Sequence, residues 1–295
     1  MRLLRFLFIG CLLSASALGQ SRIDCNALNS RVLRETVHYC VLLPTGYDAS
    51  GSKSSTLRYS VLYFLHGLGE NEQALFKMGG WNLVEDLRRE HKITDFLIVT
   101  PEAKESFYVN SADGKVRYSD FFLQEFMPFI EGNYRVRRER GSRAVSGISM
   151  GGYGALRFAF ANPELFSAVS AESAALITAS PAELDAMLRS GSPLSNVLGA
   201  AFGNPIDVVH WRENDPLMLA QKNRLAIRRL AIYFNCGRDD QFEFELGAEK
   251  LHRELDSEGV KHEYHLYSGD HSASYFLAHL AEVLEFHSRN FQTTK

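Results

Sequence analysis

The sequence predicts an α/β protein, with a mostly parallel central sheet and helices on both faces. Three observations carry that expectation. Short runs, apolar almost throughout, recur at residues 59–65, 96–100, 143–146, 167–171 and 230–236. Strands buried on both faces read this way, because neither side meets water. Segments with helical spacing stand between most of these runs, as the crossovers of a parallel sheet require. Finally, Gly147-Ile148-Ser149-Met150-Gly151-Gly152 sets a glycine-flanked serine where one strand ends and a helix begins.

Taken in chain order, Met1-Arg2-Leu3-Leu4-Arg5 carries two positive charges ahead of a short apolar core, and Ala17-Leu18-Gly19 offers small residues beyond it. This is the pattern of a secretory signal peptide cut near Gly19, so 1–19 is set apart from the fold. The remainder, 20–295, is expected to form a single domain, secreted or periplasmic. Cys25 and Cys40 lie in segments that can pair as neighbouring strands, and export permits a disulfide between them. Cys236 falls inside an apolar run and reads as a buried free thiol.

Residues 32–43 and 59–65 read as strands, and the lack of a helix between them predicts an antiparallel start to the sheet. Leu83, Val84 and Leu87 give 81–91 helical spacing, and 96–100 is a strand stopped by Pro101. Phe122, Phe126 and Phe129 fall on one side of a helix over 118–134. The strand 143–146 leads to a helix over 151–161, which Asn162-Pro163 ends. Strands at 167–171, 230–236 and the more polar 262–267 follow, with helices at 246–257 and 274–289. The stretch 174–229, punctuated by four prolines and by glycines such as Gly191 and Gly203, is too long for a plain loop. It is read as an insertion between the sixth strand and the next, lying over the carboxyl edge of the sheet where open α/β folds bind ligands.

Composition narrows the function. A hydrophobic fraction of 45%, a charged fraction of 23% and a net charge of -3 suit a soluble globular chain. They give no reason to expect nucleic acid or an anionic membrane as partner. No metal spacing, phosphate loop or dinucleotide fingerprint is present, so neither metal nor cofactor is expected.

The glycine-flanked serine matches G-x-S-x-G, the nucleophile elbow of α/β-hydrolases. By composition the pattern arises by chance in roughly one chain of this length in ten, so its context must decide. A serine hydroxyl needs a histidine to take its proton, and the histidine needs a carboxylate to orient it. In this fold the order is serine, acid, histidine, with the last two after late strands. After 230–236 stands Gly237-Arg238-Asp239-Asp240-Gln241-Phe242, in which one of the two adjacent aspartates can face the histidine. After 262–267 stands Gly269-Asp270-His271-Ser272, which makes His271 the base. His262 and His265, inside their strand, read as core or surface residues. The Met150 amide supplies one oxyanion donor, and the loop His66-Gly67-Leu68-Gly69-Glu70 supplies the other, Leu68 with Gly67 as its rival. His66, Gly67, Glu102, Asn110 and Trp211 are candidates to touch substrate.

Residues 147–156 resemble, along their full length, the nucleophile segment of the esterase D family of α/β-hydrolases. That family includes S-formylglutathione hydrolases, feruloyl and related carboxylesterases, and antigen 85 mycolyltransferases. The segment 237–242 resembles the acid loop in which the aspartate before Gln-Phe serves, which implies Asp240. Asp270-His271-Ser272, followed by Tyr275-Phe276, is similar to the family's histidine segment, and 108–111 is similar to the exported branch. The resemblance implies a serine carboxylesterase acting on a small-molecule or carbohydrate-linked ester, possible thioesters included. Its alternatives are acyl transfer to a sugar and S-formylglutathione hydrolysis. The loop 65–73 lacks the cysteine usual in S-formylglutathione hydrolases, and export separates the chain from cytoplasmic formaldehyde. Both features turn the reading away from S-formylglutathione as the substrate.

Overall fold

The computed structural model describes residues 21–47, 57–189, 191 and 193–292. The expected leader, 1–19, lies outside the described residues. Eight strands form one sheet: β1 (Arg22–Asn29), β2 (Thr36–Leu43), β3 (Ser60–Leu65), β4 (Phe96–Pro101), β5 (Arg143–Ile148), β6 (Ala168–Glu172), β7 (Ala231–Gly237) and β8 (Glu263–Tyr267). Their spatial order is β1-β2-β4-β3-β5-β6-β7-β8. The β1/β2 and β2/β4 pairs are antiparallel, and every later pair is parallel. This is the α/β-hydrolase arrangement expected from the apolar runs.

The strands β3 and β4 are buried at every position, because each face packs on its own core. Val61, Tyr63 and Leu65 enter one cluster with the helices around Phe122 and Phe158, whereas Leu62 and Phe64 enter the other with Leu280 and Leu284 of the last helix. The alternation is the period of two that a pleated strand imposes.

Three local features depart from expectation. The strand expected from residue 32 begins at Thr36, and a further strand, β1, precedes it. Residues 30–35 instead turn the chain back: Ser30 N–H donates to Glu35 O at 2.9 Å, and Arg34 has a φ of 58°. The Glu125 carboxylate, far along the chain, accepts from Ser30 Oγ and from the Arg31 N–H, fixing that turn by contacts no local pattern contains. The antiparallel start is therefore a β1/β2 hairpin set beside β4, with β3 one strand further in. Finally, the helix expected over 118–134 is present but winds as a π-helix through Phe121–Phe126.

Cys25 and Cys40 stand opposite one another across β1 and β2 and are joined by a disulfide. Cys236 is a buried free thiol, and burial pushes it up to about 12. The insertion folds into short helices, three of which have side-chain caps at their starts. Ser180 and Glu183 form a capping box before Pro181–Leu188, while Asp207 and Asp215 cap Val208–Asn214 and Pro216–Lys222. The Pro216–Lys222 helix packs on both Met150–Ala161 and Phe244–Ser257.

Candidate active site

The turn from β5 into the Met150–Ala161 helix is tight for a steric reason. A Cβ on Gly147 would lie 2.2 Å from Gly151 O, and one on Gly151 would lie 2.0 Å from Leu65 O. Only glycine fits at either position. Ser149, between them, is held at φ 55° and ψ -118°, a strained backbone for a residue with a side chain. Three hydrogen bonds hold it there. Ser149 N–H donates to Glu172 O at 2.9 Å, and Ser149 O accepts from the Tyr153 and Ala175 N–H groups, both at 3.0 Å.

Asp240 and His271 arrive from the ends of β7 and β8. Asp240 Oδ2 lies 2.7 Å from His271 Nδ1, while Oδ1 accepts from Phe242 N–H at 3.0 Å. Burial alone would raise the Asp240 pKa, but the hydrogen bond and charge of His271, with the Phe242 N–H, hold it below its ordinary value. Asp239 is exposed and Asp240 buried, so the structure resolves which of the pair meets the histidine. Asp270 accepts from Ser272 Oγ instead. The ionised Asp240 makes Nδ1 the protonated nitrogen of His271 and leaves the lone pair on Nε2.

Sequence reasoning did not foresee what grips the imidazole. Gln241 Oε1 accepts from His271 N–H at 3.0 Å, and its Nε2 donates to His271 O at 3.4 Å. Phe242, Phe244 and Phe276 stand edge-on around the ring, with centroids 5.0 to 5.4 Å away. Gln241 and Phe242 adjoin the acid in sequence, and that adjacency was the only available signal.

Ser149, His271, His66, Gly67 and Leu68 line one half-open pocket of about 200 Å³, with Glu70, Ala74, Met78, Ile148, Ala273 and Phe276 completing its wall. No hydrogen bond joins Ser149 Oγ to the imidazole among the described residues, and such contacts commonly tighten only when substrate is bound. Met150 is the first residue of its helix, where an N–H has no intrahelical acceptor. Among the described residues the Leu68 N–H has no protein acceptor either. His66 lines the pocket, yet both its ring nitrogens are engaged with backbone: Nδ1 donates to Gly67 O at 2.8 Å, and Nε2 accepts from Ala103 N–H at 2.9 Å. Burial lowers its pKa and keeps it neutral. It braces the loop that carries Leu68.

Three predicted contacts lie elsewhere. Glu102 accepts from the His38 backbone and receives Tyr118 Oη on its carbonyl, lining a separate apolar cavity of about 240 Å³ that holds no serine–histidine pair. Asn110 Oδ1 accepts from Asp120 N–H and steadies a helix start. Trp211 is buried against Phe202, 4.6 Å between centroids, because the insertion uses it as core. The insertion as a whole contributes no described residue to the pocket wall. It docks instead on the helix after Ser149, where Tyr153 Oη donates to Asn214 O at 2.9 Å.

Comparison with known proteins places these features in context. The Esterase family model matches residues 30–287. An acetyl esterase of Caldicellulosiruptor saccharolyticus is 26% identical over 262 residues, covering 88% of this chain and 96% of its own. Esterase MT1326 of Mycobacterium tuberculosis (strain CDC 1551 / Oshkosh) is 26% identical over 249 residues, 78% of this chain, and the match spans only 51% of that longer protein. A solved structure of a ferulic acid esterase superposes with a TM-score of 0.76 at 26% identity, covering 93% of this chain and 100% of that one.

Proposed function

The chain belongs to the Esterase family, and on that premise we propose that it is a secreted serine carboxylesterase working through an acyl-enzyme. One observation carries the reading: the 2.7 Å contact between His271 Nδ1 and buried Asp240, on the pocket where Ser149 sits at its strained turn. Ser149 Oγ attacks the ester carbonyl as His271 Nε2 takes its proton. Asp240 fixes the tautomer and stabilises the imidazolium that forms. The Met150 and Leu68 N–H groups receive the developing oxyanion, each worth about 3 kcal/mol of barrier. His271 then protonates the departing alcohol, and water, deprotonated by the same histidine, releases the acid.

The pocket favours a small acyl group. At about 200 Å³ it is below the roughly 300 Å³ at which drug-sized ligand sites begin, so a short chain or a single ring fills it. The acetyl and ferulic acid esterase relatives agree with that size. Export is supported by the Cys25–Cys40 disulfide, since such bonds persist in oxidising compartments.

Ser149→Ala tests the chemistry. Its kcat/KM for p-nitrophenyl acetate is expected to fall by about 10⁵-fold or more, with loss of fluorophosphonate labelling. Activity within tenfold of the unaltered chain would end the proposal. A series of p-nitrophenyl esters tests the pocket: kcat/KM is expected to fall at least tenfold from butyrate to palmitate, and a rise along that series would contradict a small acyl site.

A further inference from the structure

The Phe244–Ser257 helix presents His252 and Asp256 one turn apart, on one face. The chain then turns back toward β8 and sets His262 against them. His252 Nδ1 lies 2.7 Å from His262 Nε2, Asp256 Oδ2 lies 3.6 Å from His252 Nε2, and Asp256 Oδ1 lies 3.9 Å from His262 Nε2. One donor atom from each residue falls within 4.8 Å of the others. We propose that His252, Asp256 and His262 form a binding site for a divalent transition-metal ion, zinc by its donor set, distinct from the Ser149 pocket.

Two features beyond proximity favour a ligand site. His262 Nδ1 donates to Val260 O at 2.8 Å, which fixes the tautomer and leaves Nε2 as a lone pair pointing at the cluster. A backbone carbonyl on the far nitrogen is the usual support of a metal-bound histidine. Both rings are also held in place. The His262 side chain is only 3% exposed and stacks on Phe234 at 14°, and His252 stacks on Tyr264 with centroids 4.7 Å apart. Asp256 is exposed and reaches the site from the solvent side.

In the metal-free chain one proton bridges the two imidazoles. A zinc ion replacing it, at ~2.05 Å from each nitrogen in tetrahedral geometry, needs them to part by roughly 0.6 Å. Small rotations of the more exposed His252 supply that movement. Two nitrogens and one carboxylate oxygen then bind the ion, and water takes the open position. Zinc suits such a mixed set, whereas magnesium and calcium prefer oxygen alone. The ion would tie the end of the helix to the start of β8, the strand that leads to His271.

The untagged full chain, stripped with EDTA and dialysed, is titrated with zinc against a chromophoric chelator, and its thermal midpoint is read with and without the metal. One equivalent bound at about 10 μM or tighter, with a raised midpoint, is expected. His252→Ala should weaken binding at least tenfold and remove the rise in midpoint. Asp256→Asn, an exposed substitution that leaves the fold alone, should weaken it by a similar factor. Metal-free p-nitrophenyl acetate turnover should stay unchanged in both variants. Absence of binding at 100-fold higher zinc would overturn the proposal, leaving the imidazole pair a plain hydrogen bond. So would binding that both variants retain in full, since the ion would then sit elsewhere.

Discussion

Asp239 and Asp240 carry the same side chain on adjacent positions, and burial gives them different environments. Asp240 is enclosed with one oxygen on His271 and the other on the Phe242 N–H, whereas Asp239 faces water. Asp240→Asn keeps the shape but replaces a carboxylate with an amide, so His271 loses the acceptor that fixes its tautomer. Its kcat is expected to fall by roughly 10³- to 10⁴-fold. Asp239→Asn is expected to stay within threefold, and both are read with p-nitrophenyl acetate at fixed pH. Equal losses in the two variants would remove Asp240 from its role. Periodicity and spacing could not separate these aspartates; only the resemblance to a Gln-Phe acid loop favoured Asp240. The roles of Glu102, Asn110 and Trp211 were illegible for a related reason. Their partners, His38, Tyr118, Asp120 and Phe202, are set by tertiary packing.

Among the elements, the strand-to-helix turn at Ser149 was legible because its constraint is local. The two flanking glycines are dictated by atoms of Gly151 and Leu65 that any such turn brings close. Gly147→Ala forces a Cβ to within 2.2 Å of Gly151 O, and backbone on both sides cannot yield without moving Ser149. A destabilisation of about 3 kcal/mol is expected, together with loss of fluorophosphonate labelling in the fraction that remains folded. Urea denaturation and probe labelling of the same sample measure the two effects. A variant of unaltered stability and labelling would show that the turn is looser than the geometry demands. The hairpin β1/β2 was less legible, because Glu125, some 95 residues away in the chain, anchors its turn. The insertion was legible as an interruption of the strand–helix rhythm. Its docking was not: three of its short helices carry their own side-chain caps, and nothing in them names the surface they cover.

At the scale of the whole molecule, the sheet is covered on both faces, and this buries polar groups as well as apolar ones. The last helix, Ala273–Asn290, lays His287 against the underside of β5 and β6. Its Nε2 lies 2.7 Å from Ser170 Oγ, whose own proton goes to Ser146 Oγ at 2.8 Å. The histidine therefore donates from Nε2, and Nδ1 has no partner among the described residues. A charged imidazolium there would lack both water and a counter-ion. Burial, with a smaller contribution from Arg289, pushes His287 down to about 3, against an ordinary 6.5. The unfolded chain then takes up the proton first. Stability from this group is complete above about pH 6.5 and is lost as pH falls toward 3, with a slope of up to ~1.4 kcal/mol per pH unit. His66, also lowered by burial, acts in the same direction. His287→Gln keeps a donor for Ser170 but cannot be protonated. It is expected to lower stability at pH 7 by about 1–2 kcal/mol, since the amide fits the imidazole space imperfectly. It should also flatten the acid limb by close to one proton. Urea midpoints at pH 7, 6, 5 and 4.5 give both quantities, and parallel pH profiles for the two chains would mean that His287 reaches solvent in the folded state.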